Sequence, residues 1–74
     1  MRYFAGVDVG GTNTKIGILN ENADILVQES IKTESEKGAE ITIKRIWETI
    51  KKISEAIEVK PEEIEGIGVG IPGP

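Results

Sequence analysis

Phe4-Ala-Gly-Val-Asp-Val-Gly-Gly-Thr-Asn-Thr-Lys-Ile-Gly-Ile-Leu-Asn20 decides the fold of this 74-residue chain. Residues 2–9 are largely apolar, partly β-branched, and stop at two adjacent glycines. That predicts a strand apolar on both faces, and so a central one. Gly10-Gly11 marks a tight turn. Residues 14–20 alternate, which predicts a second strand, and so short a connection makes the pair an antiparallel hairpin. Around the turn stand one carboxylate (Asp8), the two glycines, two threonines (Thr12 and Thr14) and a lysine (Lys15). These are the groups with which a protein holds a metal-bound phosphate against its backbone.

The rest of the chain reads as framework. Glu21 to Asp24 is a turn, with Asn22 and Asp24 offering local side-chain bonds and Asn22 suited to a left-handed backbone. Residues 25–33 predict a third strand, whose polar end suits a sheet edge. Glu34 to Gly38 is a polar connection. From Ala39 to Glu58, Ile43, Ile46, Trp47, Ile50, Ile53 and Ile57 recur at helical spacing, predicting one amphipathic helix with this stripe in the core. Glu40 suits the positive end of its dipole, and Glu48 and Lys52 are spaced to pair on its outside. Pro61 can open a short helical turn over Glu62 to Ile64.

Gly66-Ile-Gly-Val-Gly-Ile71 then alternates strictly. Ile67, Val69 and Ile71 fall on one face of a strand and Gly66, Gly68 and Gly70 on the other. A face made of glycine implies a very close neighbour. Pro72-Gly73-Pro74 terminates the strand. The helix is a right-handed crossover that returns the chain parallel to the first strand. The expected class is therefore α/β, a mixed sheet of order 3-2-1-4 with one crossover helix.

Composition narrows the chemistry. Without cysteine there is neither a disulfide nor a thiolate metal site, and without histidine the commonest general base is missing. Carboxylates and backbone groups remain, which suit magnesium better than zinc. The net charge is −4 and the basic residues are scattered, which argues against nucleic acid as a partner. No apolar run is long enough to span a membrane, and the expected location is cytoplasmic. Abundant Glu, Lys and Ile with few aromatics is a composition common in heat-stable proteins.

Each candidate has two readings. Asp8 stands on a central strand, where burying a carboxylate is costly unless it is paired or binds a metal. It either holds hydrated magnesium on the phosphates, directly or through water, or caps the turn through backbone N–H groups. Gly10 and Gly11 let the backbone reach positive φ and bring N–H groups close to phosphate, or simply make a hairpin turn. Thr12 is read as a ligand contact and Thr14 as structural. Lys15 either neutralises phosphate charge or is an exposed strand lysine.

Asp8-Val-Gly-Gly-Thr-Asn-Thr-Lys15 resembles the first phosphate motif, Asp-x-Gly-Gly-Thr, of the ROK family of sugar kinases, near its bacterial glucokinases. Gly66-Ile-Gly-Val-Gly-Ile-Pro-Gly-Pro74 resembles that family's Gly-x-Gly-x-Pro-Gly segment. The first motif alone is shared with hexokinases and other actin-like ATPases; the two together, at this separation, are more specific. The resemblance runs through the whole chain.

It implies an actin-like (ribonuclease H-like) ATPase domain of which residues 1–74 form the incomplete N-terminal part. ATP and Mg2+ are the implied cofactors, with a sugar and a nucleotide as small-molecule partners. The implied reaction is phosphoryl transfer to the 6-hydroxyl of glucose. Fructose, mannose or an amino sugar are alternative acceptors, and a stand-alone nucleotide- or phosphate-binding or interaction module is the alternative function. Asp8, Gly10, Gly11 and Thr12 correspond to nucleotide-side positions, and Gly73 to a position where backbone contacts the sugar. Many ROK sequences carry a lysine where this chain has Asn13, so Asn13 and Lys15 are both held as phosphate contacts. The family's catalytic aspartate, in an Asn-Asp motif, and its zinc-binding cysteines have no counterpart in residues 1–74. The chain by itself is expected to be inactive, and to self-associate through an exposed sheet face or edge.

Overall fold

The computed structural model describes residues 1–70, so Ile71 and Pro72-Gly73-Pro74, with the expected sugar contact at Gly73, lie outside the described residues. The strands are β1 (Tyr3–Val9), β2 (Asn13–Asn20), β3 (Ile25–Lys32) and β4 (Ile64–Gly70). One helix, α1 (Ala39–Ala56), joins β3 to β4, with single 3-10 turns at Ser35–Lys37 and Pro61–Glu63. The sheet order is β3-β2-β1-β4. β1 runs antiparallel to β2 and parallel to β4, and β2 runs antiparallel to β3. This is the order 3-2-1-4 expected from the sequence.

The period-2 pattern sorts the strands into two faces. On one, Ala5, Val7, Ile16 and Ile18 pack against Ile50 and Ile53 of α1 to form the core. The helix ends where Glu58 adopts a left-handed φ of 60° and the N–H of Val59 donates to Ser54 O at 2.8 Å. This closure is of the Schellman type, and it tucks the buried Val59 under the last turn. On the other face no helix lies against the sheet among the described residues.

Several local expectations need correction. The helix stripe is not all core: Ile43 is 66 % and Trp47 42 % exposed. α1 packs over β2 and β3, so the side of its stripe turned toward β4 has nothing to meet among the described residues. There an open apolar groove of about 530 Å³ runs between Ile43 and Trp47 on the helix and the exposed Ile67 and Val69 on β4. Periodicity fixes which side of a helix is apolar, not how much of it finds a partner. Conversely, Thr49 and Ser54 of the helix are buried, each bonding back to a carbonyl of its own helix (Arg45 O at 2.8 Å, Lys51 O at 3.0 Å).

Lys52 does not pair with Glu48. Glu29 on β3 lies beneath the helix and takes it at 2.6 Å. In the Asn20–Asp24 turn the left-handed residue is Ala23 (φ 64°), not Asn22. Asn20 does the tying, its Oδ1 accepting from the N–H groups of Asn22 and Asp24.

Candidate functional site

The hairpin between β1 and β2 closes on one side only. Gly10 N–H donates to Asn13 O at 2.9 Å. The reciprocal bond, Asn13 N–H to Gly10 O, which a two-residue hairpin loop normally makes, is absent among the described residues. Gly10 O instead accepts the Thr33 hydroxyl at 2.7 Å. The N–H groups of Gly11 and Thr12 likewise have no acceptor among the described residues, and both residues are exposed. Successive unpaired N–H groups in an exposed turn are what an anion needs.

Neither Gly10 nor Gly11 has a positive φ, so the expectation that they are needed for left-handed backbone is overturned. The two glycines differ in a more useful way. A Cβ on Gly10 would stand 2.7 Å from Asn13 O, whereas one on Gly11 would meet nothing within 4 Å. Close backbone approach requires Gly10. Nothing in the described fold requires Gly11, and among the described residues the space beside it is open.

Asp8 is exposed, which corrects the expectation of a buried central carboxylate. β1 is central in the sheet, yet Asp8 points to the face that no helix covers. The turn-capping alternative is not realised either: Asp8 accepts no hydrogen bond and forms no ion pair among the described residues. Across the ladder it faces Lys15 on β2 and Gly70 on β4. Lys15 and Asn13 are both exposed and, two residues apart, share that face. Gly6, Gly17 and Gly68 line up in one register row. With Asp8, Lys15 and Gln28 they border a shallow cavity of about 300 Å³.

No cluster of three or more His, Cys, Asp or Glu residues is placed to hold a metal among the described residues. A lone free carboxylate nevertheless fits magnesium, which takes one or two carboxylates and completes its shell with phosphate oxygens and water.

Two residues of the site were not legible from the sequence. Thr33, just past β3, read as an ordinary strand threonine. It is 6 % exposed, and its hydroxyl lies 2.9 Å from that of Thr14, itself 1 % exposed. Its N–H also donates to Thr12 O at 2.9 Å. Glu34 follows in a left-handed conformation (φ 46°) and pairs with Lys37 at 2.9 Å and Arg45 of α1 at 3.4 Å. The Lys37 hydrogen bond and charge, then the charge of Arg45, hold its carboxyl below the ordinary carboxylate range. No composition or spacing signal marks either residue, because both act through contacts between β3, the turn and α1.

Residues 4–74 match the family model described as the ROK family. The chain belongs to the ROK family. It is 40 % identical over 68 residues to a glucokinase of Thermotoga maritima, an alignment covering 92 % of this chain and 20 % of that protein. Among solved structures it is similar to a ROK family glucokinase from Streptomyces griseus in complex with glucose and AMPPNP. There the TM-score is 0.74 at 28 % identity, covering 96 % of this chain and 20 % of that one. A ROK hexokinase from Thermus thermophilus gives a TM-score of 0.78 at 28 % identity, covering 97 % of this chain and 23 % of that one. This ROK chain thus spans about a fifth of the length of the relatives it matches. Its mixed 3-2-1-4 sheet with one helix is of the actin-like ATPase fold. No helix among the described residues is long and apolar enough to cross a membrane.

Proposed function

We propose that this ROK chain is the nucleotide-side, N-terminal part of an ATP-dependent sugar kinase, with glucose as the acceptor through its 6-hydroxyl. The observation that carries the reading is the exposed turn. Gly11 and Thr12 present unpartnered N–H groups beside open space, next to the disengaged carboxylate of Asp8. In phosphoryl transfer the protein mostly positions groups and stabilises charge. The Gly11–Asn13 backbone N–H groups and the Thr12 hydroxyl would donate to phosphate oxygens, and Lys15 or Asn13 would reach the same anion from the strand. Asp8 would hold Mg2+, which when bound neutralises charge on those oxygens.

The acceptor is inferred from the glucokinase relatives. A catalytic base and the sugar contacts come from outside residues 1–70; the other aspartate, Asp24, lies in the Asn20–Asp24 turn between β2 and β3. A cytoplasmic location is part of the same proposal. The chain alone would be inactive and would self-associate through the apolar groove and the free edge of β4.

The test is calorimetry with magnesium-ATP on wild type and Asp8→Asn, alongside sugar-dependent ADP release. Asp8→Asn is expected to weaken magnesium-ATP by about tenfold or more, the scale of one charge-assisted contact, with no ADP released by residues 1–74 alone. Equal affinity of the two proteins removes Asp8 from the site. Turnover by the isolated chain would sink the half-site reading.

A further inference from the structure

We propose that Thr33 is a positioning residue for the phosphate turn: it aims the amide N–H groups of Gly11 and Asn13 at the ligand by clamping the two carbonyls in front of them. The proposal rests on the reading of that turn as a phosphate site.

The geometry is a two-point clamp. The Thr33 hydroxyl lies 2.7 Å from Gly10 O, and the Thr33 N–H donates to Thr12 O at 2.9 Å. Gly10 O can only accept, so the single hydroxyl proton of Thr33 goes there. The hydroxyl of Thr14, 2.9 Å away, must then donate to Thr33 Oγ1. The proton order is Thr14 to Thr33 to Gly10 O. All side-chain members of this relay are buried, and it leaves none of them unsatisfied.

Its consequence follows from the peptide bond. In a planar trans peptide the carbonyl of one residue and the N–H of the next point in opposite directions, and no cis peptide is present among the described residues. Drawing Gly10 O inward to Thr33 turns Gly11 N–H outward. Drawing Thr12 O to the Thr33 backbone turns Asn13 N–H away from Thr33. Those two N–H groups are ones the turn itself leaves unpaired, because the acceptor Asn13 N–H would normally take, Gly10 O, is directed to the threonine instead. Without the hydroxyl, Gly10 O is free to accept Asn13 N–H, and the hairpin closes on itself.

The experiment uses the protein at its natural length, labelled with 15N at glycine and asparagine. Wild type, Thr33→Val, Thr33→Ser and Thr14→Val are compared by amide shift and hydrogen exchange at Gly11 and Asn13. Each is then titrated with magnesium pyrophosphate. Thr33→Val is expected to slow exchange at Asn13, shift the Gly11 and Asn13 resonances, and weaken pyrophosphate by about tenfold, the scale of one lost charge-assisted bond. Thr33→Ser should restore both readouts to wild type. Thr14→Val, which keeps the Thr33 bond to Gly10, should lower stability but leave the Gly11 resonance in place. If Thr33→Val does not fold, Thr33→Ala is the second hydroxyl-free variant, with the same expectation.

Unchanged Gly11 and Asn13 amides in the hydroxyl-free variant overturn the proposal. So does unchanged pyrophosphate affinity where wild type binds. If wild type binds no pyrophosphate, the phosphate reading falls and the ligand half of the proposal falls with it. The amide data then still decide whether Thr33 sets the turn.

Discussion

On the face beneath α1, Ile16 and Ile18 of β2 are fully buried against Ile50 and Ile53, while Gly17 and Leu19, one residue along the same strand, belong to the other face. The first face is made of branched side chains and closed by a helix. The second is rich in glycine, with Asp8 and Lys15 side by side across the ladder and no helix over it among the described residues. The difference separates the packed core from the residues of the proposed site. The turn stands at the end of a strand pair whose packed side anchors it and whose open side leaves its carboxylate free. Thr14 and Thr33 belong to the packed side, and Asp8, Asn13 and Lys15 to the open one.

Substitution should expose that division most strongly in the core. Ile18→Ala is expected to cost about 2–5 kcal/mol, the usual range for emptying a buried aliphatic site. A domain of this size has little more than that to lose. Leu19→Ala, its neighbour on the open face, is expected to cost about 1 kcal/mol or less. Urea denaturation of both variants decides; equal losses would erase the distinction between the faces.

The two glycines of the turn sharpen the same comparison. Gly10→Ala forces a methyl to 2.7 Å from Asn13 O, and should destabilise by about 1–3 kcal/mol, as overpacking does. Gly11→Ala meets nothing within 4 Å. It should stay within about 0.5 kcal/mol of wild type, like other unconstrained surface changes, yet weaken magnesium-ATP by about tenfold. Melting curves and calorimetry measured on both proteins separate the roles. A Gly11→Ala variant that binds as wild type would move the ligand elsewhere.

Trp47→Gln tests the half of the helix face that α1 leaves open. Its effect on stability should stay within about 1 kcal/mol, while light scattering on residues 1–74 should register less self-association. Unchanged association would clear the groove and leave the β4 edge as the sticky surface.

The smallest effect expected is at Glu34. Its folded-state pKa is depressed below the ordinary 4.5 by Lys37 and Arg45. Its contribution is therefore present above the unfolded carboxylate pKa and lost as pH falls through the folded one. Glu34→Gln should lower the melting temperature slightly at pH 7 and not at all near pH 2. A difference that persists at pH 2 would assign the effect to the left-handed backbone at Glu34 rather than to its charge.

Much of this was legible in the residues themselves. The hairpin follows from two apolar runs separated by Gly10-Gly11, the crossover helix from isoleucine spacing, and the parallel return of β4 from handedness. The same local rules misplaced Trp47 and Ile43, because a stripe records which side is apolar and not whether a neighbour exists. They misplaced Asp8, because a central strand is buried on both faces only if both faces are covered.

The sequence by itself determined the strand order, the hairpin and the candidate phosphate groups. Each depends on residues close together in the chain or on a topology with few alternatives. Only the tertiary structure decided that Thr33 takes the Gly10 carbonyl, that Gly10 is required by contact while Gly11 is not, and that Asp8 is exposed and unpaired among the described residues. The first depends on atoms 19 and 23 residues apart, the second on how the turn closes on Asn13 O, and the third on which face of a strand is covered. Such relations are set by how the sheet twists and what lies across it, and a pattern read along one strand does not carry them.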